Sequence, residues 1–195
     1  SGQRVPFQAG DMRFVDVKKD GIINEEDRVV IGDPNPDIYG NFDLTFQWKN
    51  LELGALFTYS LGNDAYNALR ASLESGKYNQ SSSMENRWMG NGQQTDIPRA
   101  TYGDPMGNSR FSDRWIEDAS YLKFKRLMLT YHVPMRQNFI QSLSVWAAVN
   151  NVCTLTKYLG VDPEFSYSTS VLEQGIDGGL TPQSRSFQLG VNINL

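Results

Sequence analysis

Five stretches of the chain alternate between apolar and polar residues, and each predicts a β-strand with one face in an apolar medium and the other in a polar one. In the first, about 39–49, Phe42, Leu44, Phe46 and Trp48 alternate with Asn41, Asp43, Thr45 and Gln47. The second, 51–61, puts Leu51, Leu53, Ala55, Phe57, Tyr59 and Leu61 on one side, with Leu56 the exception. Only Lys49-Asn50 separates the two, which reads as an antiparallel hairpin. In the third, 121–133, Leu127, Leu129, Tyr131 and Val133 share a phase, but Leu122 and Phe124 fall in the opposite one. A slip of one residue swaps the faces of a strand, so a bulge is expected near Lys125-Arg126. The fourth, 143–152, carries Leu143, Val145, Ala147 and Val149; the fifth, 185–195, carries Phe187, Leu189, Val191, Ile193 and Leu195.

The connections are unequal. Two are short, at Lys49-Asn50 and around Pro134 to Ser142, while 62–120 and 153–184 are long. Loops of that length are uncommon in a compact soluble domain. In an outer-membrane barrel, short turns on the periplasmic side and long loops outside are the rule. With five antiparallel strands both short turns fall at one end and both long loops at the other. Ten residues at roughly 3.3 Å each, tilted by about 45°, cover on the order of 25 Å, the height of the apolar band of such barrels. The side chains expected to meet lipid are Phe42, Leu44, Phe46, Trp48, Leu53, Phe57, Leu129, Val145, Phe187, Leu189, Val191, Ile193 and Leu195. Trp48 and Tyr131 near the short-turn end, and Phe42 and Phe187 near the other, suit the aromatic girdles. No charged residue interrupts the apolar phase of segments one, two, four and five, where each would cost about 2–4 kcal/mol at mid-bilayer. A soluble carbohydrate-binding β-sandwich would exclude charge from its core equally and is the alternative. Five strands close no barrel, and open edges in lipid leave backbone groups unpaired. On the membrane reading the remaining strands therefore lie upstream or on another chain.

Composition changes this picture little. A net charge of -4 offers no basic face for nucleic acid. Cys153 alone makes no internal disulfide, and His132 alone makes no zinc site. No apolar run approaches the roughly 20 residues of a membrane helix, and the opening "SGQRVPFQAG" predicts no signal peptide in this stretch. Mean hydropathy is negative, which is compatible with a barrel, since only every second strand residue faces lipid. Acidic residues are plentiful in the loops, as on most surfaces, and no catalytic residues are expected; the chain reads as a non-enzyme.

Two loop features carry candidate chemistry. In "DVKKDGIINEED", Asp16, Asp20, Asn24 and Asp27 stand at positions 1, 5, 9 and 12 of an EF-hand-like loop, with Gly21 at the sharp turn and the Ile22 carbonyl at position 7. Calcium is the ion such oxygens would suit, but Lys18 at position 3 and Asp27 in place of a bidentate Glu depart from the pattern. The other reading is an Asp-Gly turn held by Asx-type hydrogen bonds. In the loop 62–120, Arg87, Trp88, Arg99, Tyr102, Arg114 and Trp115 offer aromatic faces and guanidinium groups for a sugar, a peptide or a partner, or for packing of the loop on itself. "NDAYNALRASLESGKY" predicts a short helix capped by Asn63 or Asp64.

Several motifs in order resemble the C-terminal part of the SusC/RagA group of TonB-linked outer-membrane proteins. They are the acidic Asp-Gly loop leading into "IGDPNPDIYGNFDLTF", the "SYLKFKRLMLTYHVP" strand, the "VNNVCTLTKYLGVDPEFS" loop and the closing "SFQLGVNINL". Cys153 and the terminal Leu195 depart from the group's pattern. The resemblance implies an all-β fold: antiparallel transmembrane strands of a larger barrel, about 22-stranded, with long extracellular loops. Residues 1–38 would form an outer loop and 39–195 the strands and further loops. It implies a Bacteroidetes-type outer-membrane importer of glycan or peptide. Its partners would be a SusD-like surface lipoprotein and, through an N-terminal part absent from these residues, the TonB complex.

Overall fold

The structure, a computed structural model, describes residues 7–136, 139–165 and 170–194. Its strands in chain order are β1 (Ile38–Trp48), β2 (Leu51–Leu61), β3 (Asp64–Asn67), β4 (Ile116–Asp118), β5 (Tyr121–Val133), β6 (Ser142–Thr156), β7 (Ile176–Asp177) and β8 (Ser186–Asn194); one short helix, α1, spans Ala68–Leu73. Five strands form one sheet in the order β1-β2-β5-β6-β8, every neighbouring pair antiparallel. A second sheet of three short strands, β4-β3-β7, joins the long connections to one another, with β3 and β7 parallel. The protein is therefore all-β and mainly antiparallel. Among the described residues no helix is long and apolar enough to cross a membrane, which says nothing about strands.

The five alternating segments are the strands of the large sheet. β1 and β2 are joined through Lys49-Asn50, with Lys49 in the left-handed region at φ 52°. Between β2 and β5 the pairing slips by one: Leu56 faces Arg126 while Phe57 faces Phe124, so Lys125 is passed over. That slip puts Leu122 and Phe124 on the same side of the sheet as Leu127, Leu129 and Tyr131, as the opposed phases in the sequence required. Against β6 a second irregularity sets Phe124 opposite Cys153 and Arg126 opposite Asn150, with Asn151 at φ 52°.

Three expectations are corrected. β6 continues to Thr156 rather than ending at 152, because pairing resumes beyond Asn151 and Cys153 and Leu155 lie opposite Phe124 and Leu122. The last strand covers Ser186–Asn194, with Leu195 outside the described residues. The helix begins later than expected: Asn67 caps it by accepting a hydrogen bond from the Arg70 amide at 2.9 Å, and Asp64 belongs to β3. The competing partner that draws Asp64–Asn67 into a strand is β4, about fifty residues away in the chain.

The protein's buried core lies in the layer formed by the long connections, at the end of the sheet away from the short turns. Trp115 is fully buried there, and Ala65, Ala71, Met84, Ala119 and Tyr158 are buried with it. The guanidinium groups of Arg114 and Arg70 sit over the Trp115 rings, 4.6 Å and 5.6 Å from the centroid, and the indole donates to the Arg110 carbonyl at 3.0 Å. Glu74 accepts from Arg70 at 3.1 Å, Arg114 at 2.9 Å and Ser83 at 3.0 Å. Glu117 accepts from Arg70 at 2.7 Å and from the Leu159 amide at 3.0 Å. Tyr158 donates to Asp177 at 2.7 Å; burial, and then this carboxylate, push its phenol far above the usual value. A buried charge that loses its partner is costly. Glu74→Ala leaves the buried Arg114 unpaired and is expected to cost about 3–5 kcal/mol in this layer. Limited proteolysis checks it: cleavage appears within 62–120 while the sheet strands stay intact.

Candidate functional site

The pairing registers collect the side chains of the large sheet into two unlike faces. One carries Phe42, Leu44, Phe46 and Trp48 of β1, Leu53 and Phe57 of β2, Leu129 of β5, Val145 of β6, and Phe187, Leu189, Val191 and Ile193 of β8. Cys153 is exposed on the same face. No charged residue of the five strands lies on it. Phe57 stacks between Phe42 at 4.8 Å and Phe124 at 4.5 Å, an aromatic row across three strands. This face is open to its surroundings: Phe46 is 67% exposed, Phe187 75% and Leu189 85%. A continuous apolar surface of this kind marks an interaction with lipid or another chain. Leu195, expected on this face, lies outside the described residues.

The opposite face is polar, with Asn41, Asp43, Thr45 and Gln47 on β1, Glu52, Thr58 and Ser60 on β2, Lys123, Arg126, Thr130 and His132 on β5, and Gln188, Asn192 and Asn194 on β8. An ion cluster ties it to the connection after β6. Lys123, only 2% exposed, donates to Asp162 at 3.1 Å and to Glu164 at 2.9 Å, and Lys125 donates to Glu164 at 2.6 Å. Burial would raise the Glu164 carboxyl, but the hydrogen bonds and charge of Lys125 and Lys123 outweigh it and hold the group below the usual carboxylate range. Sequence reasoning missed this cluster. Its available signal was a lysine in the polar phase of a strand entering next to the bulge, together with the acid pair of "DPE".

The six loop residues singled out by composition are placed unequally. Trp115 and Arg114 belong to the buried layer. Arg99 clamps the segment that precedes β1: its Nε and Nη2 donate to Asp11 at 2.7 and 3.0 Å, and its Nη1 to Gln8 at 2.7 Å. Trp88 packs on Gly10, where a Cβ would lie 2.3 Å from the indole. Arg87 donates to the Met84 carbonyl at 3.0 Å, within its own turn. Tyr102 alone of the six stands fully exposed.

The acidic loop is folded around its own amides. Asp16 accepts from Lys19 at 2.6 Å and Gly21 at 2.8 Å, and Asp20 accepts from Ile22 at 2.8 Å. Asn24 caps a single 3-10 turn, Glu25–Asp27, accepting from Glu26 at 2.7 Å. Asp27 draws the ends together, accepting from Val17 at 2.9 Å, Lys18 at 3.2 Å and Asn24 at 2.8 Å. Gly21 sits at φ 80°, which favours glycine. Among the described residues no three Asp, Glu, His or Cys side chains are gathered as a metal's ligands. In the structure the carboxylates of Asp16, Asp20 and Asp27 serve as Asx-type turn acceptors for backbone amides. The Asn24 amide above all, with those of Lys18 and Val17, holds the Asp27 carboxyl below its ordinary range. A carboxyl lowered on folding stabilises the loop above the ordinary range, and the contribution is lost as pH falls through the lowered value. In amide exchange, Val17 and Lys18 are expected to lose protection only in acid below the usual carboxylate range. Adding calcium to metal-stripped protein is expected to give no heat and no shift in melting; a heat of binding with a raised Tm would instead make the loop a cation site.

No protein-family model matches the chain. Its sequence is similar to the TonB-dependent receptor P3 of Formosa agariphila, 30% identical over 192 residues that cover 94% of this chain and 19% of that protein. It is 29% identical to the TonB-dependent receptor P26 of the same organism, covering 99% of this chain and 20% of the relative. To the TonB-dependent receptor SusC of Bacteroides thetaiotaomicron it is 27% identical, over 92% of this chain and 17% of SusC. The fold is similar to solved structures of the RagAB peptide importer: in the open-open state, TM-score 0.69 at 30% identity, covering 83% of this chain and 17% of that one; in the closed-closed state, 0.70 at 28%, covering 84% and 18%. The chain spans about one fifth of the length of the curated relatives it matches. By sequence and by fold, the chain is similar to a segment, about a fifth of the length, of TonB-dependent receptors of the SusC/RagA kind.

Proposed function

We propose that this chain forms five wall strands and the outer loops of an outer-membrane importer energised through TonB. It would be the C-terminal part of a closed barrel of about 22 strands, whose missing neighbours pair with the open edges of β1 and β8. The apolar face of the sheet meets lipid and the polar face lines the barrel. The loop layer, with residues 1–38 and the connections after β2 and β6, lies outside the cell. There it meets a SusD-like surface lipoprotein, with the exposed Tyr102 available for that contact. Calcium has no part in this assignment. The cargo is a nutrient of the glycan or peptide class, and the chain has no enzymatic role.

One observation carries the reading: an uncharged, continuous apolar sheet face stands open while the chain's own buried core lies elsewhere, in the loop layer. A soluble sandwich would need a second layer over Phe46, Leu189 and Val191, and these remain exposed. Backbone groups can be satisfied in lipid only by closure of the sheet, which supports placing the missing strands at both edges. The paired substitution Leu189→Arg and Gln188→Arg, made in the full-length receptor, tests this. On the lipid face arginine is expected to cost about 2–4 kcal/mol and to deplete folded receptor from the outer membrane, whereas on the barrel-lining face it is tolerated. Equal tolerance of both would contradict the proposal.

A further inference from the structure

β6 ends at Thr156, which lies opposite Tyr121, the first residue of β5. The chain that follows does not continue outward. Asp162 and Glu164 come after that end in sequence, yet they bond Lys123 and Lys125, which lie further down β5. Lys123 stands opposite Thr58 on one side and Thr154 on the other, both in the polar phase. Residues 157–165 therefore turn back over the polar face, above β5 and β6, strands with a neighbour on each side.

The root and the tip of this stretch are held differently. The root is fixed in the buried layer: the Thr156 hydroxyl donates to the Ser120 carbonyl at 2.8 Å, the Tyr158 hydroxyl to Asp177 at 2.7 Å and the Leu159 amide to Glu117 at 3.0 Å. Gly160 then lets the backbone pass close over the Tyr158 ring, where a Cβ would clash. The tip is an Asx-type turn, in which Asp162 accepts from the Glu164 amide at 3.0 Å. Beyond it the chain returns to the same ring, with Phe165 and Tyr158 5.8 Å apart between centroids. The result is a flap with both ends on Tyr158.

Charge fastens the tip to β5. Lys123 reaches Asp162 at 3.1 Å and Glu164 at 2.9 Å, and Lys125 reaches Glu164 at 2.6 Å. Lys123 is almost wholly buried at this junction. A buried ammonium that loses its carboxylates is strongly penalised unless it regains water. Lifting the tip admits that water and breaks no strand pairing.

We propose that residues 160–165 are a flap that narrows the importer's outer mouth, latched shut by the lysine pair at the β5 bulge and free to lift about Tyr158 when those charges are unbalanced. It rests on the reading above, in which the polar face lines the barrel. The bulge has a part in this: Lys125 is the residue passed over in the pairing with β2, and its side chain joins that of Lys123 on Glu164.

The test uses the full-length receptor in lipid bilayers, in a Cys153→Ser background, with spin labels on cysteines placed at Val161 in the flap and Asn192 on the lining of β8, both exposed. Pulsed electron resonance reads the distance between them. The intact latch is expected to give one short distance. Asp162→Asn with Glu164→Gln, and separately Lys123→Met with Lys125→Met, are expected to add a longer distance and to raise the lifted fraction about tenfold or more, the loss of about one charged hydrogen bond. Lys125→Arg keeps the charge and is expected to keep the short distance. Amide exchange along β5 and β6 is expected to be the same in all of them. An unchanged distance in both double variants, or Lys125→Arg lifting as far as they do, would overturn the assignment. So would lost exchange protection along the strands, which would make the cluster a brace of the sheet. If the Leu189 and Gln188 asymmetry described above holds, such a failure falls on the flap alone. If it does not hold, the importer reading falls first.

Discussion

Side chains in a β-strand alternate strictly, so a sheet that must keep one whole face free of charge depends on every strand holding its phase. In this protein that requirement comes to a point at Lys125. With β2 and β5 paired throughout in one register, Leu122 and Phe124 would turn to the polar side and Lys123 to the apolar one. The one-residue slip between Leu56/Phe57 and Phe124/Arg126 prevents this. It keeps the aromatic row of Phe42, Phe57 and Phe124 intact on one face. On the other it delivers Lys123 and Lys125 to the acids Asp162 and Glu164. One bulge therefore serves the sheet and the attachment of the loop layer together.

The chain divides its stabilising interactions between two regions with different solvents. The loop layer is held as a soluble protein is held, by a buried tryptophan, stacked guanidinium groups and buried ion pairs. Its acids and arginines lie far apart in sequence, as with Arg70 and Glu117. The large sheet has ladder hydrogen bonds and a polar face but no core of its own, and its largest apolar side chains stand exposed. A sheet of this kind is stable only if something outside the chain covers that face. The curated relatives it matches are about five times longer than this chain.

The large sheet was legible in the sequence because a period of two is a local signal. Phe42 to Trp48 and Phe187 to Ile193 announce their faces without knowledge of any neighbour, and the phase conflict in β5 announced the bulge. The far end of β6 was not legible, since Asn150-Asn151 interrupts the alternation just where the backbone turns left-handed. Nor was β3, whose four residues become a strand only through β4 and β7. In the loops, composition named Arg87, Trp88, Arg99, Arg114 and Trp115 but gave no direction. The same indole or guanidinium serves a surface or a core, and which one depends on partners such as Asp11 and Glu74, 88 and 40 residues away. For the acidic loop the sequence left an Asx-type turn and a cation loop open; in the structure Asp16 and Asp27 accept from backbone amides.

The central claim is that acyl chains cover the face bearing Leu189 and its neighbours. The most direct measurement places a fluorophore in turn at 187, 188, 189, 191, 192 and 193 of the full-length receptor in lipid bilayers, in a Cys153→Ser background. Quenching is then compared between bromine-labelled acyl chains and a water-soluble quencher. The account predicts acyl-chain quenching at Phe187, Leu189, Val191 and Ile193, and quenching from the aqueous side at Gln188 and Asn192. Odd-numbered positions shielded from both quenchers would show a protein layer over that face and would contradict it.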